Sequence, residues 1–193
     1  MNDVLATTEL QRRRFTVEEY YRMAEVGILG PMDRVELIEG EIVQMSPISH
    51  LHSACVVALG EALKRAFGDR GLLSPQNPLR LPRDTVPQPD VVFLRPPLSQ
   101  YWARLPQPED VLLLVEVADT SYHYDREVKV PLYARAGISE VWIVDLSHNV
   151  VEVFRTPSPT GYGATLRIER NGTIAPVAIP DVVVAVDDFL PPA

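Results

Sequence analysis

The feature that most constrains the fold is an almost unbroken apolar run at residues 111–117, Val-Leu-Leu-Leu-Val-Glu-Val. A run of this length without polar alternation is typical of a strand buried on both faces. A second run at residues 140–145 predicts another buried strand, and residues 150–155 predict its hairpin partner. We therefore expect a sheet with an interior, and one carboxylate, Glu116, lies within the first of its buried strands.

The prolines divide the rest of the chain. Nine of the 18 prolines lie in residues 75–108, which argues against helix there and predicts short strands between rigid turns. The predicted strands of this stretch are 78–82 and 90–94. Glu39-Gly40 predicts a hairpin between residues 34–38 and 41–45. The remaining predicted elements are helices at 16–24 (capped by Thr16), 50–67 and 125–136, and short antiparallel strands at 164–169, 173–177 and 181–186.

One proline and one glycine set the expected limits of the helix at 125–136. Pro131 lies inside the helix predicted at 125–136, where it removes a hydrogen bond, so we expect a kink or a late start. Gly137 is expected to end that helix. No linker divides the chain, and we expect a flexible tail at residues 1–14 followed by one domain at residues 15–193.

The composition is that of a globular protein rather than a membrane or secreted one. Hydrophobic residues make up 46% and charged residues 23% of 193 residues, which is ordinary for a globular protein. No apolar run is long enough to span a membrane, and the N-terminus does not have the pattern of a secretory signal. One cysteine, Cys55, cannot form an internal disulfide, which fits a reducing compartment. We therefore expect a cytoplasmic protein without a membrane partner.

The net charge of −8 argues against a protein that coats DNA nonspecifically. It does not exclude a nuclease, because such an enzyme needs only a local basic groove beside an acidic metal site. The four histidines do not have a convincing metal-ligand spacing: His50 and His52 are two residues apart and lie on different faces of a helix. Surface or capping roles are the better interpretation of these histidines.

Two acids attached to apolar strands stand out. Asp90 opens Asp-Val-Val-Phe-Leu, and Glu116 lies near the end of the run at 111–117. A carboxylate that enters a core strand is costly unless it is paired or binds a cation. If the two converge, a divalent cation would relieve their repulsion, and Mg²⁺ or Mn²⁺ suits such oxygen ligands. The alternative is that each acid lies at a strand end and pairs with an arginine.

The order Pro89-Asp90, then Glu116-Val117-Ala118, resembles the PD-(D/E)XK nuclease superfamily. Further segments make the chain similar to the Uma2 family of restriction-type endonucleases, formerly a domain of unknown function, over nearly all of residues 15–190. Each segment is weak, but their order and spacing together are specific. They are Phe15-Thr16-Val17-Glu18-Glu19-Tyr20, the stretch from Glu36 to Pro47, His52, Pro89-Asp90-Val91-Val92, Glu116-Val117, Asp125, Lys129, Tyr133, Gly137 and Trp142-Ile143-Val144-Asp145.

The resemblance implies an α+β fold of the restriction-endonuclease type, in which helices flank a mixed β-sheet. It implies Asp90 and Glu116 as metal ligands, the carbonyl of Val117 as a third ligand, and Glu36 as an additional acid at the same site. The implied cofactor is Mg²⁺ or Mn²⁺, and the implied partner is DNA. A homodimer would suit cleavage of two strands, although nothing in the sequence demonstrates one.

The chain departs from the superfamily pattern at one position. The expected lysine, two residues after the glutamate, is replaced by Ala118, and Lys129 on the next helix is the natural substitute. Lys129 could equally form a surface ion pair with Asp125, four residues away. The chain has 16 arginines and two lysines, and retention of a lysine here favours the functional interpretation because the two cations are not interchangeable.

We expect Tyr133, Trp142, Met45 and Phe93 to be core residues. Tyr122, His123 and Tyr124 follow the predicted site, where they either touch substrate or form an ordinary turn. The favoured function is a Mg²⁺-dependent DNA endonuclease whose catalytic residues are Glu36, Asp90, Glu116 and Lys129. The competing hypothesis is a binding or assembly module that keeps the nuclease fold without cleaving.

Overall fold

A computed structural model describes residues 12–192. The predicted tail therefore lies largely outside the described residues, as does residue 193. The regular elements, in chain order, are α1 (Val17–Glu25), β1 (Val35–Ile38), β2 (Glu41–Gln44), α2 (His50–Phe67), β3 (Leu72–Pro75), β4 (Val91–Leu94), β5 (Val111–Ala118), α3 (Tyr122–Tyr124), a π-helical turn (Asp125–Lys129), α4 (Val130–Arg135), β6 (Glu140–Asp145), β7 (Val150–Ser158), β8 (Gly161–Ile168), β9 (Thr173–Ile174) and β10 (Val184–Ala185).

A mixed six-stranded sheet forms the centre of the molecule. Its strand order is β3-β4-β5-β6-β7-β8, in which β5 and β6 are parallel and the other neighbours are antiparallel. Every residue of β5 and β6 is buried, as the two apolar runs predict. The α+β fold class expected from the sequence is confirmed.

The two faces of β5 pack against different helices. Leu113, Val115 and Val117 join the apolar cluster that includes α2. Leu114 and Ala118 join a second cluster that includes Tyr133 of α4. Because side chains alternate along a strand, Glu116 lies on the second face, towards α4.

The N-terminal elements match the sequence pattern closely. Thr16 caps α1 in a capping box with Glu19. The β1–β2 hairpin turns at Glu39 and Gly40, which both have positive φ, as a two-residue hairpin turn of this kind requires. This layer joins the rest of the fold where the Val86 N–H donates to the Leu37 carbonyl (2.6 Å).

The helical segment after β5 is the most irregular part of the fold. It begins at Tyr122, three residues earlier than expected, and includes a π-helical turn in which the Val130 N–H donates to the Asp125 carbonyl. Pro131 follows at once, so the predicted distortion appears as a wider turn just before the proline. The segment ends at Gly137, which has a φ of 82°.

Some predictions about the strands are wrong or incomplete. Residues 78–82 do not form a strand; only Leu81 makes a bridge, to Thr85, because Pro78 and Pro82 lack the N–H groups that a ladder needs. The edge strand β3 was not predicted, and β9 and β10 are shorter than expected. Met45 is not a core residue: it is half-buried, because it lies just past the end of β2 and lines a cleft. Trp142 and Phe93 are core residues as expected.

None of the described helices is both long enough and apolar enough to cross a lipid bilayer.

Candidate functional site

The end of β4 brings Asp90 to Glu116. The antiparallel register pairs Val91 with Val115, so Asp90 lies opposite Glu116, just beyond the last ladder pair. The Val117 N–H donates to Asp90 Oδ2 (2.9 Å), and the Asp90 N–H makes a long contact with Glu116 Oε2 (3.4 Å). The two acids that the sequence singled out therefore do converge.

Lys129 joins two of the predicted acids. Its ammonium Nζ lies 3.0 Å from Glu36 Oε1 and 3.2 Å from Glu116 Oε1, and all three side chains are almost fully buried. Glu36 comes from β1, where its Oε1 also accepts a hydrogen bond from the Gln88 N–H (2.7 Å). Glu36, Asp90, Glu116 and Lys129 thus form one contiguous cluster.

The surface ion-pair interpretation of Asp125 and Lys129 is wrong. Asp125 is 3% and Lys129 5% exposed, so neither faces solvent. Asp125 Oδ1 is 3.9 Å from the ammonium, and its Oδ2 accepts a short hydrogen bond from Ser121 Oγ (2.6 Å). Asp125 therefore adds another buried carboxylate to the cluster.

Tyr133 contributes a hydroxyl that the sequence analysis assigned only to the core. The ring is buried as expected, but its hydroxyl donates to Glu116 Oε1 (2.5 Å). A signal was present, because Tyr133 follows Lys129 by four residues and therefore lies on the same helix face.

His52 reaches the cluster from the first turn of α2. Its Nε2 lies 3.1 Å from Asp90 Oδ2, while its Nδ1 is buried without a hydrogen-bond partner in the described part of the chain. Burial lowers the pKa of this imidazole, but the hydrogen bond and charge of Asp90 outweigh it, so the pKa is raised overall. His52 is thus a site residue, although the spacing of the histidines favoured a surface or capping role.

The charges of the cluster are unbalanced. Three carboxylates, those of Glu36, Glu116 and Asp125, lie within 4.0 Å of the single Lys129 ammonium. A fourth carboxylate, that of Asp90, lies beside Glu116 and His52. Burial raises the pKa of Glu116 to about 8, although Lys129 opposes this and the other carboxylates add to it. Burial also raises the pKa of Asp125 to about 6. The site therefore favours protons or a further cation.

Lys129 stays charged in this environment. Burial lowers the pKa of its ammonium, but the three neighbouring carboxylates more than compensate, so the pKa is raised above its usual value. At neutral pH the ammonium can donate hydrogen bonds and stabilise negative charge, but it cannot act as a general base.

The cluster lines one end of a cleft of about 120 Å³. One wall includes Arg34 and residues 43–49, and the other runs from Asp119 to Asp125. Tyr124 lines this cleft, whereas Tyr122 donates its hydroxyl to Glu152 Oε2 (3.2 Å) on β7. Of the three residues expected either to touch substrate or to form a turn, Tyr124 is therefore in a position to meet a ligand.

The donor set of Asp90 and Glu116 suits a hard divalent cation. Asp90 Oδ1 and Glu116 Oε2 each take only one long contact, of 3.4 Å, from Gln76 Nε2 and the Asp90 N–H respectively. Two carboxylates with weakly occupied oxygens match the ligands that Mg²⁺ uses, together with water and phosphate. Across residues 12–192, no group of three or more His, Cys, Asp or Glu side chains is placed to hold a metal ion by itself, so a cation here would need further ligands besides these side chains.

Ala118 is fully buried on the same face of β5 as Glu116. A lysine is absent from that position, and the ammonium comes instead from the last residue of the π-helical turn. The geometry therefore places Lys129 beside the glutamate, as the sequence comparison anticipated.

Comparisons with known proteins concern the family and the fold of the chain. The model of the family Uma2, described as "Putative restriction endonuclease", matches residues 17–187. The crystal structure of a putative nuclease belonging to DUF820 from Anabaena variabilis ATCC 29413 has a TM-score of 0.68 and covers 91% of this chain and 97% of that chain, at 16% sequence identity. At that identity the likeness concerns the fold alone. A search of curated proteins finds no match. With the family model covering most of its length, the chain belongs to the Uma2 family.

Proposed function

We propose that the protein is a Mg²⁺-dependent endonuclease that hydrolyses phosphodiester bonds in DNA at a site of the PD-(D/E)XK type. Membership of a restriction endonuclease family supports a nuclease function. The observation that carries the proposal is the charge imbalance of the site, where three carboxylates share one buried ammonium and a fourth, Asp90, lies beside Glu116. Buried acids that are not neutralised by the protein itself are characteristic of catalytic sites.

Asp90 and Glu116 are the proposed ligands of Mg²⁺ or Mn²⁺. Val117 is the proposed third ligand, through its carbonyl. In a strand the N–H and C=O of one residue point to the same side, and the Val117 N–H points to Asp90 rather than to a neighbouring strand. Glu36 is already engaged by Lys129 and the Gln88 N–H through Oε1, which leaves Oε2 for a second or hydrated ion.

A bound divalent cation supplies Lewis-acid stabilisation of charge on the scissile phosphate and makes water a better nucleophile. Lys129 donates hydrogen bonds from its ammonium to the attacking water or to the phosphate oxygen on which charge develops. Glu36 and Glu116 hold that ammonium in place. Tyr133 and His52 fix the carboxylates of Glu116 and Asp90, so that one oxygen of each faces the cleft.

A binding or assembly module without cleavage is the second candidate. The observation that favours it is Ala118, which stands where the superfamily pattern has its lysine. The position of Lys129 argues against it, because an ammonium lies 3.2 Å from Glu116 despite the substitution.

The test is nicking and linearisation of supercoiled plasmid DNA by the full-length protein. We expect cleavage with Mg²⁺ or Mn²⁺ and none in excess chelator, and calorimetry should show one or two weak divalent sites. Cleavage that persists in chelator would refute metal dependence. DNA binding without cleavage in any divalent metal would establish the binding module instead.

A further inference from the structure

The Tyr124 hydroxyl has no hydrogen-bond partner in the described part of the chain, although it is buried. Buried tyrosine hydroxyls are normally bonded, and one that is not requires an explanation such as a missing ligand. Tyr124 lines the cleft beside the proposed catalytic cluster, and Lys129 Nζ lies 5.9 Å from the centre of its ring. The hydroxyl is therefore a free donor next to the place where DNA is expected to be cut.

Arg34 is the second unusual group of this cleft. Most arginines in residues 12–192 lie within 4.0 Å of a carboxylate, whereas Arg34 donates to the neutral Ser46 carbonyl (3.0 Å) and lacks a carboxylate partner in this range. Arg65, Arg83 and Arg95 also lack a carboxylate partner in this range. Of these three arginines and Arg34, only Arg34 lines the cleft. Its positive charge is thus available to a ligand at the cleft.

We propose that Arg34 and Tyr124 form a subsite for a backbone phosphate of the DNA next to the phosphate that is cut. This inference rests on the proposed nuclease function and extends it by assigning residues that bind substrate outside the metal cluster. A phosphodiester offers only acceptor oxygens and a negative charge, and Arg34 and Tyr124 offer only donors to it and a positive charge.

One wall of the cleft is a segment without regular secondary structure. It comprises residues 45–49, and Tyr124 lines the same cleft. A phosphate contact of this kind positions the duplex without reading its sequence. The subsite therefore concerns affinity and register on the DNA rather than base preference.

Tyr124→Phe tests the hydroxyl, with Tyr122→Phe as the matched control. Binding of a short fluorescein-labelled duplex is measured by anisotropy with Ca²⁺ in place of Mg²⁺. We expect Tyr124→Phe to weaken binding about tenfold, the scale of one hydrogen bond to a charged group, and to leave the melting temperature unchanged or raised. Tyr122→Phe loses a bond to Glu152 and should lower the melting temperature while DNA affinity is kept.

Arg34→Gln tests the charge, with Arg65→Gln as the control. Arg65 is exposed on α2 and also lacks a carboxylate partner in the described range. Removal of one phosphate contact should reduce the slope of log affinity against log salt by about 0.9. We expect this change for Arg34→Gln and not for Arg65→Gln.

The outcomes separate this subsite from the nuclease proposal. If the wild-type protein cleaves plasmid DNA with Mg²⁺ while all four variants bind the duplex as it does, the subsite is wrong and the nuclease proposal stands. If the wild type neither binds nor cleaves DNA, both proposals fall. A melting temperature lowered by Tyr124→Phe, with unchanged DNA affinity, would show that the hydroxyl has a structural role only.

Discussion

Two buried carboxylates on neighbouring strands have opposite surroundings. Glu140, at the start of β6, is fully buried, and one guanidinium (Arg155), the Trp142 indole N–H and the Val177 N–H donate to it. Glu116, on β5, shares its single ammonium with two other carboxylates and lies opposite Asp90. The first carboxylate is matched one to one by a cation, and the second is not.

This difference separates a structural acid from a functional one. Glu140 holds the chain near Val177 against the sheet, and its charge is neutralised within the protein. The cluster around Glu116 has an excess of negative charge that only protons or a ligand can neutralise. Removal of an acid should therefore affect stability at Glu140 and activity at the Glu116 cluster.

The largest expected effect is that of Asp90→Asn on cleavage. The substitution keeps the side-chain volume but removes a charge that the proposed cation needs, so the cleavage rate should fall about 10³-fold or more, the upper range for loss of one electrostatic group. Metal-free stability should be unchanged or higher because one of several repelling charges is gone. Single-turnover cleavage and thermal melting measure both quantities. Glu61→Gln, on the exposed side of α2, is the control, and near-normal cleavage by Asp90→Asn would remove this site from consideration.

Glu140→Gln should show the reverse behaviour. Arg155 loses its ionic partner in a largely buried position, and the free energy of unfolding should fall by about 3 kcal/mol, the lower end for a broken buried pair. The rate constant of cleavage per folded molecule, measured well below the melting temperature, should be unchanged. Denaturant unfolding followed by circular dichroism gives the stability. If Glu140→Gln instead abolished cleavage in a fully folded protein, the contrast between the two acids would fail.

Lys129→Arg and Lys129→Ala test the role of the ammonium within the cluster. If the ammonium contacts the attacking water or the phosphate, the planar guanidinium cannot take its place between Glu36 and Glu116, and both variants should lose about 10²-fold in rate. Metal affinity should change little because lysine is not a ligand. Single-turnover cleavage at saturating Mg²⁺ is measured for the wild type and both variants. Equal cleavage rates for the wild type and Lys129→Arg would favour the binding module.

The smallest expected effect is on the pH dependence of stability. The pKa values of Glu116 and Asp125 are raised in the folded protein to about 8 and about 6, so the folded state binds more protons than the unfolded chain. Metal-free stability should therefore fall as pH rises from about 5 to about 8. The raised pKa of His52 acts in the same direction, while Lys129 stays protonated throughout this range.

Melting temperatures measured in chelator between pH 5 and pH 8 test whether stability falls as pH rises. Mg²⁺ should reduce this loss of stability at high pH, because a bound cation replaces the protons that the carboxylates hold at low pH. Glu116→Gln, which cannot ionise at this position, serves as the control and should show a flatter profile. A metal-free wild type whose stability rises over this range would contradict the assigned charge imbalance.

Local patterns were sufficient to predict most of the fold. The helices, the hairpin at Glu39-Gly40 and the strands β4 to β6 all carry their own periodicity or turn residues. The strand β3 does not, because it is a four-residue segment ending in Pro75 and acquires its structure by pairing with β4. At residues 78–82 the sequence predicted a strand that does not form. The prolines there keep the chain extended but lack the N–H groups that pairing with another strand needs.

The site was predictable where a residue conflicts with its surroundings. A carboxylate in an apolar strand is costly wherever the strand lies, and this singled out Asp90 and Glu116. Tyr133 and His52 show no such conflict, because a tyrosine suits a core and a histidine suits a helix start. Their contacts depend on how α4 and α2 pack on the two faces of the sheet, which is a property of the tertiary structure.

The π-helical turn changes the direction in which the side chains after it point around the helix axis. An α-helix advances by about 100° per residue, and a turn with one extra residue shifts everything beyond it by that angle relative to what precedes it. Tyr124 and Asp125, before the shift, thus face the cleft, while Tyr133, beyond it, still reaches Glu116. Deletion of one residue from the turn would leave the composition of the site almost intact and yet rotate half of it away from the metal ligands.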